Sequence, residues 1–350
     1  MAKVTVLISA GGTGGHVIPA LNLGKFLRDN GINVIFVGRK NSFEEKIYKK
    51  NFFKIEYIDV GAIKGRKFMD ILKNILKLFK SLTNSIKILS TYKPEIVIGF
   101  GGFVSFPLVL CAKLLKFKTA ICEQNAVMGL ANRILAQISD KVFLNFKNTQ
   151  KVPLFADKEV IGNFVKKEIL EIKDRSKKAI LIFGGSQGAE KLNEIIIKIS
   201  KKLQEFGKKI IHITGEKNFE KVKNEYEKMN LTNIKVIPFT ENMEDYYKEA
   251  EIVISRAGAT TISELNALNL KSIIIPYPYS ADDHQWYNAC EYMKTGKCAV
   301  IIQDYLTENR LLKWIEFFIT NEYRFKSKRE VLGNPQYSYK KIYKWIEENV

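Results

Sequence analysis

Val4-Thr-Val-Leu-Ile-Ser-Ala-Gly-Gly-Thr-Gly-Gly-His-Val-Ile-Pro-Ala20 joins an apolar β-rich run to a glycine loop and then to a helical stretch. A strand that ends in glycines and turns into a helix is the opening unit of a parallel α/β sheet. Working outward, Pro19–Asn30 has helical spacing, Gly31 breaks it, and Asn33–Val37 is the next strand, followed by Lys93–Gly99, Thr119–Glu123 and Lys141–Leu144. The opening then recurs. Lys178–Phe183 runs into Gly184–Gly185 and a helix over Glu190–Phe206, with further strands at Lys209–Thr214, Ile234–Pro238, Ile252–Ser255 and Ser272–Pro276. The expected fold is α/β, with two doubly wound Rossmann-like domains at 1–161 and 168–335 and a junction at 162–167. A last helix within 336–350 follows the Gly333-Asn-Pro335 break and is free, by sequence, to pack on the first domain.

At 350 residues the chain suits two domains better than one. The net charge of +19 is uneven: residues 1–160 hold 25 Lys/Arg against 11 Asp/Glu, and the rest hold 31 against 26. A basic surplus on one half suits an anionic membrane surface or nucleic acid, or reflects a Lys-rich composition. Cys111, Cys122, Cys290 and Cys298 form no CxxC pair and no metal-ligand spacing, so they read as buried thiols in a reducing compartment. Ile96–Ala112 carries no charge, but Gly99, Gly101, Gly102 and Pro107 interrupt it, so strand, loop and helix are expected there, not a membrane span. The N-terminus lacks the core and cleavage site of a signal peptide.

Six loops can carry chemistry. In the first, glycines let backbone N–H groups approach an anion in front of a helix N-terminus. His16 sits in that loop as a candidate general base for a sugar hydroxyl, or as a structural helix-capping imidazole; the only other histidines are His212 and His284. The second, Gly99-Phe-Gly-Gly-Phe-Val-Ser-Phe-Pro107, can hold a second anion, and Glu123-Gln-Asn125 lies where open α/β sheets bind ligands. The third glycine loop is Gly184-Gly-Ser-Gln-Gly-Ala189, followed by Asn193. In Ser255-Arg-Ala-Gly-Ala-Thr-Thr-Ile-Ser-Glu264 small residues open a helix, and Glu264 can accept from both hydroxyls of a ribose. Pro276-Tyr-Pro-Tyr-Ser-Ala-Asp-Asp-His-Gln285 is a stiff loop whose His284 and Gln285 suit sugar hydroxyls. Asp282–Asp283 is weak as a metal site, and no metal set is expected.

Residues 64–93 carry eight Lys/Arg and one Asp. Apolar residues at 68, 71, 72, 75, 76, 79 and 82 form a helical stripe, with Lys73, Lys77 and Lys80 off it. Phe68, Ile71, Ile75 and Phe79, with Lys64, Arg66 and Lys67, suit an interfacial helix meeting lipid. A stripe packed wholly or partly into the core is the alternative.

Taken in order, Gly11–Ala20, Gly101–Ser105, Glu123–Asn125, Gly184–Ala189, Arg256–Glu264 and Ala281–Gln285 resemble the MurG family. These are the UDP-N-acetylglucosamine:lipid-linked muramyl-pentapeptide N-acetylglucosaminyltransferases of peptidoglycan synthesis. The resemblance implies a GT-B fold, two Rossmann-like domains facing a central cleft, with the donor held mainly by the C-terminal one. It implies inverting, metal-independent transfer without a cofactor, from UDP-N-acetylglucosamine to undecaprenyl-diphosphate-MurNAc-pentapeptide. Donor contacts are implied for Thr13, Gly14, Gly15, Asn125, Lys166, Ser186, Gln187, Gly188, Asn193, Thr240, Ala259, Thr260, Glu264, His284 and Gln285. Acceptor contacts are implied for Gly14, Gly101, Gly102, Phe103 and Glu123, with His16 as the base. Where the family commonly has Gly-Asn-Pro-Val-Arg, this chain has Gly162-Asn-Phe-Val-Lys166, which keeps the charge and loses the bidentate fork. The resemblance further implies a peripheral location on the cytoplasmic face of the bacterial plasma membrane, among other cell-wall synthesis proteins.

The rivals are a related transferase with a diacylglycerol acceptor, a UDP-sugar epimerase, and a basic nucleic-acid-binding protein. A diacylglycerol presents no diphosphate to the second glycine loop. An epimerase has no need of a basic apolar face. No RNA module or stacking platform marks a nucleic-acid partner, and none is expected.

Overall fold

The computed structural model describes residues 4–60, 68–185, 189–321 and 330–350, with the backbone alone for 68–76. The chain divides into two compact units, Met1–Phe164 with Leu332–Val350, and Val165–Val331.

The first unit is built on seven strands, β1 (Thr5–Ser9), β2 (Asn33–Gly38), β3 (Lys54–Tyr57), β4 (Ile96–Gly99), β5 (Lys118–Glu123), β6 (Lys141–Leu144) and β7 (Lys158–Val160). All pair in parallel in the order β3-β2-β1-β4-β5-β6-β7. Helices α1 (Gly14–Asp29), α2 (Phe43–Lys50), α3 (Phe68–Tyr92), α4 (Ser105–Leu114) and α5 (Leu130–Leu135) connect them. Alternation along β1 explains the two layers: Val6 and Ile8 join one core with Leu21 and Leu27 of α1, while Leu7 joins the other with Leu89 of α3 and Leu108 of α4. The strand order reverses at β1/β4, so the loops leaving these two strands open at the position where doubly wound sheets bind ligands. Helix α1 starts at Gly14, earlier than the expected Pro19; the proline lies inside it, so the N–H that would bond the Gly15 carbonyl is absent.

The C-terminal helix Pro335–Glu347 packs on the first unit. Asn334 caps it by accepting from the Gln336 N–H, and Ile342 and Ile346 enter the core that holds α1. Ser338 Oγ bonds the Asn163 carbonyl at 3.1 Å. Gly162 and Gly333 meet back to back: a Cβ on Gly333 would stand 2.0 Å from the Gly162 nitrogen. Gly333→Ala is therefore expected to destabilise the first unit by about 3 kcal/mol, because backbone must move, not a flexible side chain. Urea unfolding checks this; a wild-type midpoint would contradict the packing.

The second unit holds β8 (Ala179–Phe183), β9 (Lys209–Ile213), β10 (Ile234–Ile237), β11 (Ala250–Ser255), β12 (Lys271–Ile274) and β13 (Cys298–Val300), in the parallel order β10-β9-β8-β11-β12-β13. Its helices are α6 (Lys167–Leu170), α7 (Glu190–Glu205), α8 (Phe219–Lys228), α9 (Met243–Glu249), α10 (Ala259–Ala267), α11 (His284–Met293) and α12 (Glu308–Thr320). Ile180, Ile182, Ile252, Ile254 and Ile273 of the sheet pack against Leu192 and Ile196 of α7 and Leu311 and Ile315 of α12. Here the order reverses at β8/β11. Both units are thus doubly wound Rossmann-like sheets, as the repeated strand–glycine–helix pattern implies.

Candidate functional site

In the first unit the two glycine loops touch. Gly102 adopts φ +80°, and a Cβ there would lie 2.6 Å from the Gly11 carbonyl oxygen, so neither loop has room for a side chain at this crossing. Ser105 at the start of α4 fastens them from below. Its Oγ accepts from the Gly101 N–H at 3.1 Å and lies 2.9 Å from the Ser9 carbonyl. Thr13 is the exposed N-cap of α1, its side chain makes no capping bond, and the first turn has no acidic residue. The Gly14 and Gly15 amides precede the first intrahelical bonds, so this helix start presents N–H donors and partial positive charge.

His16 is half-buried, with Nδ1 at 3.3 Å from the Gly11 carbonyl. A carbonyl can only accept, so this contact places a proton on Nδ1, and in the neutral ring Nε2 is then the accepting nitrogen. Nε2 faces Gly101, 3.3 Å from where a Cβ would stand, and Asn132 Nδ2 approaches the same point at 3.3 Å. Phe103 stands exposed beside these groups in the sequence, on the rim of the second loop.

Glu123 is buried at the end of β5. One carboxylate oxygen accepts from the Asn125 backbone N–H at 3.0 Å and its Nδ2 at 3.2 Å; the other accepts from the Gly129 N–H at 3.1 Å and Asn132 Nδ2 at 2.9 Å. Four donors on one carboxylate make it the organiser of its loop, holding Asn125 half-exposed just past the carboxyl end of β5. Asn132 received no role from sequence. Its spacing from Glu123, across a loop and into α5, carries no local periodicity that would reveal the contact.

In the second unit Gly185 (φ +82°) turns the chain after β8. Ser186, Gln187 and Gly188 lie outside the described residues. Asn193 is buried and both ends of its amide are engaged: Nδ2 donates to the Thr214 carbonyl at 3.0 Å, and Oδ1 lies 3.1 Å from His212 Nε2. Burial pushes His212 down to about 3, so it is neutral; Nε2–H donates to Asn193 and Nδ1 accepts from the Tyr226 hydroxyl at 2.8 Å. The asparagine thus ties the first turn of α7 to the end of β9.

Helix α10 begins after Gly258, with no side-chain cap, no acidic residue in its first turn, Ala259 buried, and Thr260 Oγ1 buried without a hydrogen-bond partner. Further along α10, Glu264 accepts from the Tyr247 hydroxyl at 2.8 Å. Burial pushes Glu264 up to about 7, the Tyr247 hydrogen bond draws it down, Glu244 raises it and Lys166 lowers it. Lys166 Nζ pairs with Glu244 Oε1 at 2.5 Å. Arg256, quoted in the motif but given no role from sequence, is nearly buried. Its guanidinium donates to the Ile275 and Pro276 carbonyls and to Gln303 Oε1, which ties the ends of β11 and β12 together. Burial lowers it to about 10, so it remains charged at neutral pH.

Beyond β12, Gln285 Oε1 accepts from the Tyr277 N–H at 3.0 Å, and His284 Nδ1 lies 2.8 Å from the Ala281 carbonyl. Thr240 Oγ1 accepts from the Asn242 N–H at 3.0 Å. Asp282 and Asp283 are exposed with φ near +50°, and no group of three His, Cys, Asp or Glu side chains suited to a metal is found among the described residues.

The stripe of α3 divides. Phe79 is 63% exposed, whereas Leu82 packs on the core. Leu78, Leu114, Leu130 and Ile134 are also exposed on α3, α4 and α5, which pack side by side on one face of the sheet, with Lys77, Lys80 and Lys116 exposed on or beside them. Lys64, Arg66 and Lys67, and the side chains of Phe68, Ile71 and Ile75, lie outside the described residues. No described helix is long and apolar enough to cross a membrane.

Comparison with known proteins agrees with this geometry. Residues 6–144 match the glycosyltransferase family 28 N-terminal domain and residues 179–341 its C-terminal domain. The UDP-N-acetylglucosamine--N-acetylmuramyl-(pentapeptide) pyrophosphoryl-undecaprenol N-acetylglucosamine transferase of Caldicellulosiruptor saccharolyticus is 34% identical, and the alignment covers 95% of each chain. The protein of the same name from Syntrophus aciditrophicus is 38% identical, again over 95% of each. The crystal structure of Acinetobacter baumannii MurG superposes with a TM-score of 0.77 at 29% identity, covering 99% of both chains. A putative UDP-N-acetylglucosamine 2-epimerase from Listeria monocytogenes shares the fold alone, with a TM-score of 0.69 at 13% identity over 99% of this chain and 96% of that one. Two parallel-sheet Rossmann-like domains of this kind make up the GT-B fold, and the chain belongs to the MurG family within glycosyltransferase family 28.

Proposed function

We propose that this chain transfers N-acetylglucosamine from UDP-N-acetylglucosamine to the 4-hydroxyl of the N-acetylmuramyl residue of a pentapeptide carried on pyrophosphoryl-undecaprenol, converting lipid I to lipid II. The observation that carries the reading is the pair of touching glycine loops at the β1/β4 reversal, joined to a sequence match that spans both domains. Two loops and an uncapped helix start suit a diphosphate, which a diacylglycerol acceptor lacks. In the second unit the Gly185 turn and the start of α10 supply amides for the donor diphosphate, and Glu264 accepts from the ribose diol. Thr240, on the loop after β10, and His284 and Gln285, at the start of α11, suit donor hydroxyls. Lys166 is placed as the counter-ion of Glu244.

The reaction is a direct displacement. Nε2 of His16 takes the proton of the acceptor hydroxyl as its oxygen bonds to the anomeric carbon, the bond from that carbon to UDP breaks, and configuration inverts. Negative charge growing on the leaving diphosphate meets preorganised N–H groups at the loop amides and helix start. Release of UDP from UDP-N-acetylglucosamine, measured with and without the lipid-linked acceptor and with EDTA, tests the proposal. Acceptor-dependent release that survives EDTA is expected. Release lost in EDTA would remove the metal-free mechanism, and acceptor-independent turnover would favour an epimerase or hydrolase.

The exposed apolar residues of α3–α5 and their lysines propose a peripheral contact with anionic lipid on the cytoplasmic membrane face. Phe79→Glu is expected to weaken binding to vesicles containing phosphatidylglycerol about tenfold, since burying one aromatic contributes about 1.5–3 kcal/mol. Co-sedimentation checks this; unchanged partitioning would place the lipid contact elsewhere.

A further inference from the structure

Glu264 sits in a cluster that the proposed chemistry does not itself require. The Tyr247 hydroxyl donates to its Oε2 at 2.8 Å, and Tyr247 is fully buried in α9. One turn earlier on α9, Glu244 is buried as a second carboxylate, with Oε1 paired to Lys166 at 2.5 Å and Oε2 lacking a hydrogen-bond partner. Lys166 is the N-cap of α6, and α6 packs against both α9 and α10. On the other flank of α10, α11 brings the Tyr292 phenol close enough to act on Tyr247, while Lys167, Glu168, Asp245 and Lys248 are exposed.

We infer that Tyr247, Glu244 and Lys166 are positioning residues for Glu264, and that together they tie binding of a nucleoside-diphosphate sugar to release of a proton. The inference rests on the proposed donor site, because it takes Glu264 as the group that receives the ribose diol. Two vicinal hydroxyls need an ionised acceptor, and a protonated carboxyl offers one fewer accepting site. Glu244 on α9 opposes the ionisation of Glu264 on α10, because like charges repel in a dry pocket. Lys166 offsets Glu244, and the tyrosine hydrogen bond favours the ionised form of Glu264 and fixes its orientation.

The electrostatics agree in sign. Glu264 is raised to about 7, chiefly by burial. Its ionised, ligand-accepting form is therefore complete well above pH 7 and lost as pH falls through that value. Donor affinity is expected to drop about tenfold from pH 8 to pH 6, following the ionised fraction. Glu244→Gln removes the opposing charge and frees Lys166 to act on Glu264, so the ratio between pH 6 and pH 8 shrinks. Tyr247→Phe removes the hydrogen bond that favours ionisation, so the ratio grows and affinity at pH 7 falls.

Titration calorimetry with UDP-N-acetylglucosamine and no acceptor tests this on the full chain. The sugar nucleotide is preferred to UDP because a terminal phosphate has its own ionisation near pH 6. Wild-type protein at pH 7, in two buffers of different ionisation enthalpy, is expected to release about half a proton per donor bound. The two variants are expected to move the pH dependence in opposite directions. Donor binding without proton release, or two folded variants that weaken binding equally at every pH, would overturn the coupling and leave the donor site standing. A folded wild-type chain that binds no donor at any pH would overturn the donor site and the coupling with it.

Discussion

His16→Gln is expected to lower kcat by about 10²–10⁴-fold while leaving donor binding near its wild-type value. Glutamine is the informative replacement. Its amide can donate to the Gly11 carbonyl, as His16 Nδ1 does at 3.3 Å, so the loop keeps that contact. It has no nitrogen able to take a proton at neutral pH. The surroundings are fixed independently of the imidazole, by the Gly102–Gly11 crossing and by Ser105, so the loop is expected to survive the change. A general base leaves a second mark, an acid limb in the pH dependence of kcat that the variant loses. A glutamine enzyme within threefold of wild type, with the limb intact, would make His16 a helix-start imidazole of structural use only.

Glu123 is expected to tolerate neither Ala nor Gln, and the failure of Gln is the sharper result. The carboxylate receives two donors at each oxygen: Asn125 at one, Gly129 and Asn132 at the other. An amide of the same shape must turn an NH₂ toward one of these pairs, so donors face donors in a buried site. Each unsatisfied buried donor costs about 1–3 kcal/mol, and breaking such a charge-assisted cluster costs about 3–5 kcal/mol in all. Both variants are expected to lose at least about 10²-fold in kcat/KM for the lipid acceptor, since Asn125 and Asn132 lose their anchor. Urea unfolding should show the stability loss in the first unit. A Gln variant with wild-type stability and activity would contradict the four-donor arrangement.

The sequence made the sheet interiors readable and hid three of the four edge strands, β10 being the one it showed. Val4–Ser9, Thr119–Glu123 and Lys178–Phe183 are continuous apolar runs because parallel strands are covered on both faces, and the structure places β1, β5 and β8 there. Lys54–Tyr57, Lys158–Val160 and Cys298–Val300 gave no such signal. All three are short edge strands, β3, β7 and β13, half-exposed and carrying charge or too few residues for a pattern. The glycine loops were legible because positive φ and close backbone approach restrict the residue types allowed. The supporting groups were not. Tyr247 reaches Glu264 from a different helix, Arg256 reaches Gln303 across 47 positions, and Glu123 reaches Asn132 through a loop whose course no local rule dictates. The α3 stripe shows the same limit, since periodicity marks an apolar face without saying what covers it, and the structure divides it at Phe79 and Leu82.

The most direct measurement is the identity of the product. The chain is incubated with UDP-N-acetylglucosamine and undecaprenyl-diphosphate-linked MurNAc-pentapeptide, and the lipid fraction is analysed by mass spectrometry and NMR. The expected result is an acceptor carrying one additional N-acetylglucosamine, attached at the muramyl 4-hydroxyl with the anomeric configuration inverted. An unchanged lipid alongside free UDP, or a sugar epimerised at C2, would contradict the account.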